Sequence, residues 1–290
     1  MLSSQGAISA MGRAKQRADD ERARAARAAE VVARHETLAI EGTQQLRTLH
    51  ETMAEMHRGI EQRHLTAAAL HGTHATRLAR WAAGTGSRTT RPPRFLAAVA
   101  ESLDARAVGL SLLGSDRTEK AAVASNRLAT AAQDLEFTFG EGPAHDAAAN
   151  RDLVVIAADT LPARWTHYSP AVARLGVRAV DAAPMCVHEV CLGVLTVFDP
   201  PGVDVAARAT TLHRVSDALV HTALLAFDED SLLAESDHRA VIHQAAGMIT
   251  EQLGCSVADA LAVLRARAFV ENEPADVVAR RVLRRELTFD

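Results

Sequence analysis

Apolar residues in the first third of the chain recur at intervals of three and four. Leu46, Leu49, Met53, Met56, Ile60, Ala67 and Leu70 follow this spacing, and Arg63 interrupts it. That is the a/d seam of a coiled coil or of a helical hairpin. No proline occurs before Pro92, and alanine, arginine, glutamate and leucine dominate. A helical region is therefore expected over residues 1–83, with residues 1–18 loose. His50, His57, His64 and His71 are spaced by seven and form one stripe. With Leu46 at position a, all four fall at e, beside the seam. Imidazoles there would titrate near neutral pH and tune helix pairing. The plainer reading is polar flanking residues with no switch role. Along one helix successive imidazoles lie about 10 Å apart, which disfavours a metal site, although two facing helices could bring pairs together.

The pattern changes after GTGSRTTRPP, residues 84–93, whose small polar residues and paired prolines mark a linker. Residues 94–227 mix two periods. Phe95 to Leu103 reads as a helix. Val108, Leu110 and Leu112 alternate with Gly109 and Ser111, a strand. Leu153 to Ile156 reads as a buried strand, and Ala182 to Phe198 as a hairpin turning near His188 and Glu189. A last helix begins at Asp204. Its Leu212, Val215, Leu219 and Thr222 keep a three-four spacing, so two copies of the chain are expected to pair there and along the first seam.

Residues 228–237 form a second linker, and residues 238–290 carry three short amphipathic patterns. Val241, Ile242, Ala245, Met248, Ile249 and Leu253 mark one helical face. Gly254 suits a left-handed C-cap. Ser256 and Asp259 form a capping-box pattern ahead of Val257, Ala260, Leu261, Leu264 and Ala268. Pro274 fits the first turn of a third helix, closed by Val277, Val278 and Val282.

The central region resembles a GAF domain. The resemblance rests on FTFGEGPAHDA at Phe137–Ala147, LVVIAAD at Leu153–Asp159, Arg164-Trp165, LGVRAV at Leu175–Val180 and CLGVLTVFDP at Cys191–Pro200. It implies an antiparallel sheet of about six strands between helices, and an unidentified small-molecule ligand. The residues themselves make GEGP a turn that starts a helix, since Gly140 and Gly142 free the backbone and Pro143 suits a first turn. His145 and Cys186 are candidates to face a pocket.

The C-terminal region resembles an ANTAR domain, an RNA-binding module of bacterial antiterminators. The matching residues are Ala245-Ala246-Gly247-Met248, Gly254, Ala260, Leu264-Arg265, Ala268, Val277 and Ala279. The family motif usually reads Ala-Lys-Gly; here Ala246 replaces the lysine. The expected RNA contacts are Arg239, His243, Ala245, Ala246, Gly247, Met248, Arg265, Arg267 and Arg281. Ala245, Ala246 and Gly247 would leave the first helix bare for a loop base, and Arg265 with Arg239 or Arg281 would hold phosphate or stack. The resemblance implies a dual stem-loop RNA as partner, two modules working in a homodimer, and competition with a terminator stem. The fold class is thus α+β: long N-terminal helices, a GAF-like sandwich and a three-helix ANTAR bundle.

Charge neither demands nor forbids this. The whole chain carries −4, and residues 238–290 hold seven arginines and seven acids. Broad polyanion binders are usually basic, so any RNA contact would be selective for shape. Arg280, Arg281, Arg284 and Arg285 cluster on the third helix. The rival reading is a non-enzymatic coiled-coil/GAF protein-interaction regulator that binds no RNA. No nucleophile, Walker or metal-ligand motif points to catalysis or to a metal. Three cysteines, Cys186, Cys191 and Cys255, give no disulfide framework. No apolar run spans a bilayer, so no membrane partner and a cytoplasmic location are expected.

Overall fold

The computed structural model describes residues 4–84, 92–115, 118–157, 159–221 and 237–289. The two linkers read from the sequence lie largely outside these residues.

Two long helices come first, α1 (Ser4–Glu41) and α2 (Gln44–Ala82). Residues 4–18, expected loose, belong to α1. The two helices pack against each other in one chain, so the seam is that of a helical hairpin. Its interior is not the predicted one. In α1 the buried positions are Ala14, Ala18, Glu21, Ala25, Ala28, Val32 and Ala39, a heptad series almost wholly of alanine. Such a series lets helix axes approach closely. Ala54, Ala68 and the edges of imidazole rings fit opposite it; long Leu and Met side chains do not. Leu46, Leu49 and Met56 are consequently turned outward, Leu49 with 54% of its surface exposed.

The histidine stripe therefore faces α1 rather than flanking a seam between chains. His35 Nδ1 lies 3.0 Å from His50 Nδ1, and the His35 and His57 rings stack at 6.1 Å. His64 Nδ1 lies 2.5 Å from the buried Glu21 carboxylate. His71 is buried with its ring 5.0 Å from Phe95. A seam that runs through 50, 54, 57, 64, 68 and 71 has the same period as the predicted one, shifted around the helix. Period alone does not choose between them.

The central sheet has five strands: β1 (Ala107–Leu113), β2 (Glu119–Ala124), β3 (Val154–Ile156), β4 (Val180–Val187) and β5 (Val190–Phe198). Their order is β2-β1-β5-β4-β3, every pair antiparallel. One face is covered by α3 (Phe95–Ser102) and α7 (Val205–Leu219), with Leu70 of α2. This corrects the second expected seam: Leu212, Val215 and Leu219 are core residues of this domain, and Thr222 lies outside the described residues. A buried bidentate pair, Arg208 with Asp181, ties α7 to β4.

The other face is covered by α4 (Arg127–Phe139), α5 (Pro143–Asn150) and α6 (Tyr168–Arg174), which bring Ala129, Ala132, Ala144, Ala147, Tyr168 and Val172 into its core. GEGP turns as read: Gly142 sits at φ 152, and Pro143 starts α5. A Cβ at residue 142 would also lie 2.7 Å from the Glu136 carboxyl group.

The last three helices are α8 (Asp237–Leu253), α9 (Val257–Glu271) and α10 (Ala275–Leu283). Gly254 ends α8 at φ 62. Ser256 and Asp259 form the full capping box of α9. Pro274 is the N-cap of α10, one position earlier than expected. Ile242, Ile249, Leu264, Ala268, Val278 and Val282 fill the bundle core. Val277 stays 38% exposed and does not close it.

Candidate nucleic-acid interface

The three-helix bundle does not stand apart from the sheet domain. Phe137, on α4, inserts into the bundle's apolar core. Helix α8 lies against β2, and both α9 and α10 lie against α4. Two of the predicted contact residues converge on Phe137. The Arg239 guanidinium sits 4.6 Å from its ring centroid, and that of Arg265 sits 5.6 Å away.

Arg239 is the most enclosed polar residue of this contact, with 1% of its surface exposed. Its Nε lies 2.7 Å from Glu119 Oε1 and its Nη1 lies 3.0 Å from Asp134 Oδ1. These approaches are within ion-pair range but off the hydrogen-bond direction. Nη2 donates a hydrogen bond to the Gln133 carbonyl at 3.2 Å. Burial pushes the Asp134 carboxyl up to about 6, with Arg239 pulling against it. A buried guanidinium between two carboxylates resists separation from either one.

The other predicted residues are distributed around the bundle. Ala245 and Ala246 are fully buried, so they offer no bare surface in this arrangement. Gly247 is exposed, and a Cβ built there would meet nothing within 4 Å. Met248 packs partly against the core. His243 is half-buried, and desolvation lowers its pKa. Arg267 pairs with Glu271 at 2.6 Å. Arg281 reaches Glu271 at 2.5 Å and Glu273 at 3.1 Å. Arg265 has no hydrogen bond or ion pair among the described residues; its guanidinium lies over the Phe137 ring and feels the Glu119 carboxylate through space.

Arg265 also lines a cavity of about 260 Å³ between the two units, with Glu119, Glu136, His145 and Leu261. Glu136 Oε1 accepts the His145 backbone N–H at 2.9 Å. Burial raises the Glu136 pKa, and the Glu136 carboxyl raises that of His145. His145 thus faces a pocket, as proposed from sequence. A second groove holds three rings in contact: Phe139 and His167 each meet Phe269 edge-on and lie tilted against each other. Sequence reading missed Phe137, Glu119, Asp134 and this aromatic set. Glu119 stands on β2, a strand whose EKAAVA gives no alternation. Among the described residues no group of three or more ligating side chains could hold a metal ion.

A GAF domain model matches residues 93–219, and an ANTAR domain model matches residues 230–283. The chain is a GAF–ANTAR protein. GAF domains are sensory and ANTAR domains bind RNA, so this is the composition of an RNA-binding antitermination regulator; both domains are regulatory and non-catalytic. Among solved structures, GAF3 from Slr1393 of Synechocystis sp. PCC6803 is 18% identical, with 44% of this chain and 90% of that chain covered and a TM-score of 0.32. The GAF domain of the Acinetobacter phosphoenolpyruvate-protein phosphotransferase is 12% identical, with 58% and 96% covered and a TM-score of 0.32. No curated protein matches the chain. No helix among the described residues is long and apolar enough to cross a membrane.

Proposed function

We propose that this GAF–ANTAR protein binds paired stem-loops in nascent transcripts, keeps terminator stems from forming, and is held in check by its own GAF domain. The observation that carries the reading is the ANTAR match over residues 230–283. Arg265 supports it as a contact residue, since its guanidinium makes no ion pair or hydrogen bond among the described residues and already lies over an aromatic ring. A loop base or phosphate would replace that ring. Arg239 supports the restraint. Whatever face it presents to RNA is covered while it sits between Glu119 and Asp134. The cavity beside it suits a small molecule that reads both domains at once.

The active form in this reading is a homodimer. The row Leu46, Leu49, Met53, Met56 and Ile60 keeps a heptad spacing, with Leu46, Leu49 and Met56 exposed and Met53 and Ile60 half-buried, which suits a second copy of the hairpin. Two ANTAR domains in one assembly engage two adjacent stem-loops, and the second contact gains from effective concentration.

A filter-binding titration with a two-hairpin RNA, against a scrambled RNA of equal length, tests the function. Preference for the paired hairpins by tenfold or more is expected. Equal affinity for both RNAs would favour the rival reading, a protein-interaction regulator. Ala246 in the lysine position and the neutral C-terminal region favour that rival.

A further inference from the structure

Two of the three cysteines stand directly opposite each other at the end of the β4–β5 hairpin. Cys186 pairs with Cys191 in the antiparallel register, and Val187 pairs with Val190 outside them. Only His188 and Glu189 remain for the turn, with His188 at φ 53. In a hairpin closed by two turn residues, the outermost pair exchanges backbone hydrogen bonds, and the next pair inward does not. Cys186 and Cys191 are that second pair. Opposed residues at such a site have Cα atoms about 4.5 Å apart and side chains on one face of the sheet. A disulfide requires Cα atoms about 4.4–6.8 Å apart. Both thiols are free in the structure; Cys186 is part-exposed and Cys191 is buried, its Sγ 3.3 Å from the Gly193 carbonyl.

We propose that Cys186 and Cys191 form a cross-strand dithiol that a low-molecular-weight disulfide oxidises to an intramolecular disulfide. Cys186, the more accessible thiol, attacks first as its thiolate. One sulfur–sulfur bond of the small disulfide breaks, one thiol molecule leaves, and a mixed disulfide forms at Cys186. Cys191 then loses its proton and attacks the Cys186 sulfur, and the second thiol molecule leaves. Two protein thiols are oxidised, one small disulfide is reduced to two thiols, and the reaction runs backward in excess thiol.

The surroundings set its speed. Burial, and then the adjoining Cys191 thiol, push Cys186 up to about 11. Arg151, which holds Glu189 across the hairpin end, pulls weakly the other way. Little thiolate exists at neutral pH, so the first step is slow and its rate follows pH. The second step is intramolecular between neighbours and is fast. Cys255, on the loop between α8 and α9, has no such neighbour and serves as an internal control.

The experiment is intact-mass spectrometry of the full-length protein during incubation with oxidised glutathione, followed by disulfide mapping. The expected product has lost two mass units through a Cys186–Cys191 bond, keeps its folded circular dichroism, and regains both thiols in reduced glutathione. The initial rate should rise about tenfold per pH unit between pH 7 and 9. Cys191→Ser should stop at a glutathione adduct on Cys186, and Cys186→Ser should give no within-chain bond. Wild type that accumulates only glutathione adducts, or only bonds between chains, would overturn the proposal. So would a within-chain bond that persists in Cys191→Ser.

Discussion

Arg239, near the start of the ANTAR domain, holds its Nε 2.7 Å from Glu119 Oε1 on an edge strand of the GAF sheet. The two residues are 120 positions apart in sequence. Replacing Glu119 with Gln and Asp134 with Asn would leave a buried guanidinium without a counter-charge, at a cost of about 3–5 kcal/mol for such a site. Undocking relieves that cost. The expected outcome is a larger radius of gyration by small-angle scattering and affinity for two-hairpin RNA raised at least tenfold, about 1.4 kcal/mol. An unchanged radius with unchanged affinity would show that the contact is no restraint.

Gly247 and Arg265 divide the RNA-contact assignment into two tests. Beyond the backbone of its own helix, no atom of the described residues stands within 4 Å of a Cβ at residue 247, so Gly247→Leu should fold normally and gain slightly in helix stability. It should still weaken RNA binding by covering the α8 surface. Arg265→Ala should lose about 1–3 kcal/mol of RNA affinity. Circular dichroism checks folding of both, and filter binding checks affinity. A folded Gly247→Leu protein with wild-type affinity moves the contact off this part of α8.

The outward row on α2 gives a test of assembly. Leu49→Glu with Met56→Glu places charge on two exposed positions and disturbs no buried contact. Light scattering should report a dimer for wild type at micromolar concentration and a monomer for the double variant, with thermal stability of the monomer nearly unchanged. A wild type that stays monomeric with and without RNA rejects the row as an interface.

Acid should weaken the hairpin and its seat on the GAF domain. Burial lowers His71 and His74 to about 4, below the ordinary value of 6.5. Below pH 6.5 the unfolded chain takes up protons that the folded chain refuses, so stability falls until about pH 4. Between pH 7 and 5 the pair should lose about 2 kcal/mol, allowing for partial exposure. Burial raises Asp134, Glu136 and Asp181, whose contributions run the opposite way. The quantity to measure is thus the difference in urea-unfolding free energy between wild type and His71→Phe/His74→Phe. A difference that does not change with pH dismisses the assignment.

Much of this fold could be read from residues that act locally. The capping box at Ser256, the left-handed Gly254 and the turn at Gly142 each depend on a few neighbours, and each stands where the pattern put it. The β4–β5 hairpin and the helix after Asp204 were equally plain. What failed was orientation. Leu46 and Leu49 have the right period to form a seam, yet the partner helix supplies alanine and selects another face. Leu212 and Leu219 have a pairing pattern that a sheet can satisfy as well as a second copy can. Arg239, expected as an RNA contact, is instead enclosed by acids that lie on β2 and α4, over a hundred residues away. No local signal marks such a partner.

The alanine seam of the hairpin carries one more consequence. Ala18, Ala25 and Ala39 present nearly the same profile after a slide of seven residues, and the histidines opposite repeat at that same interval. Glu21, now against His64, would meet His57 or His71 after such a slide. The packed surface therefore distinguishes poorly between alignments about 10 Å apart. The alignment is fixed at the tip, where Gly42 and Thr43 alone join the two helices. The hairpin is a vernier with identical marks whose reading is set by its two-residue stop.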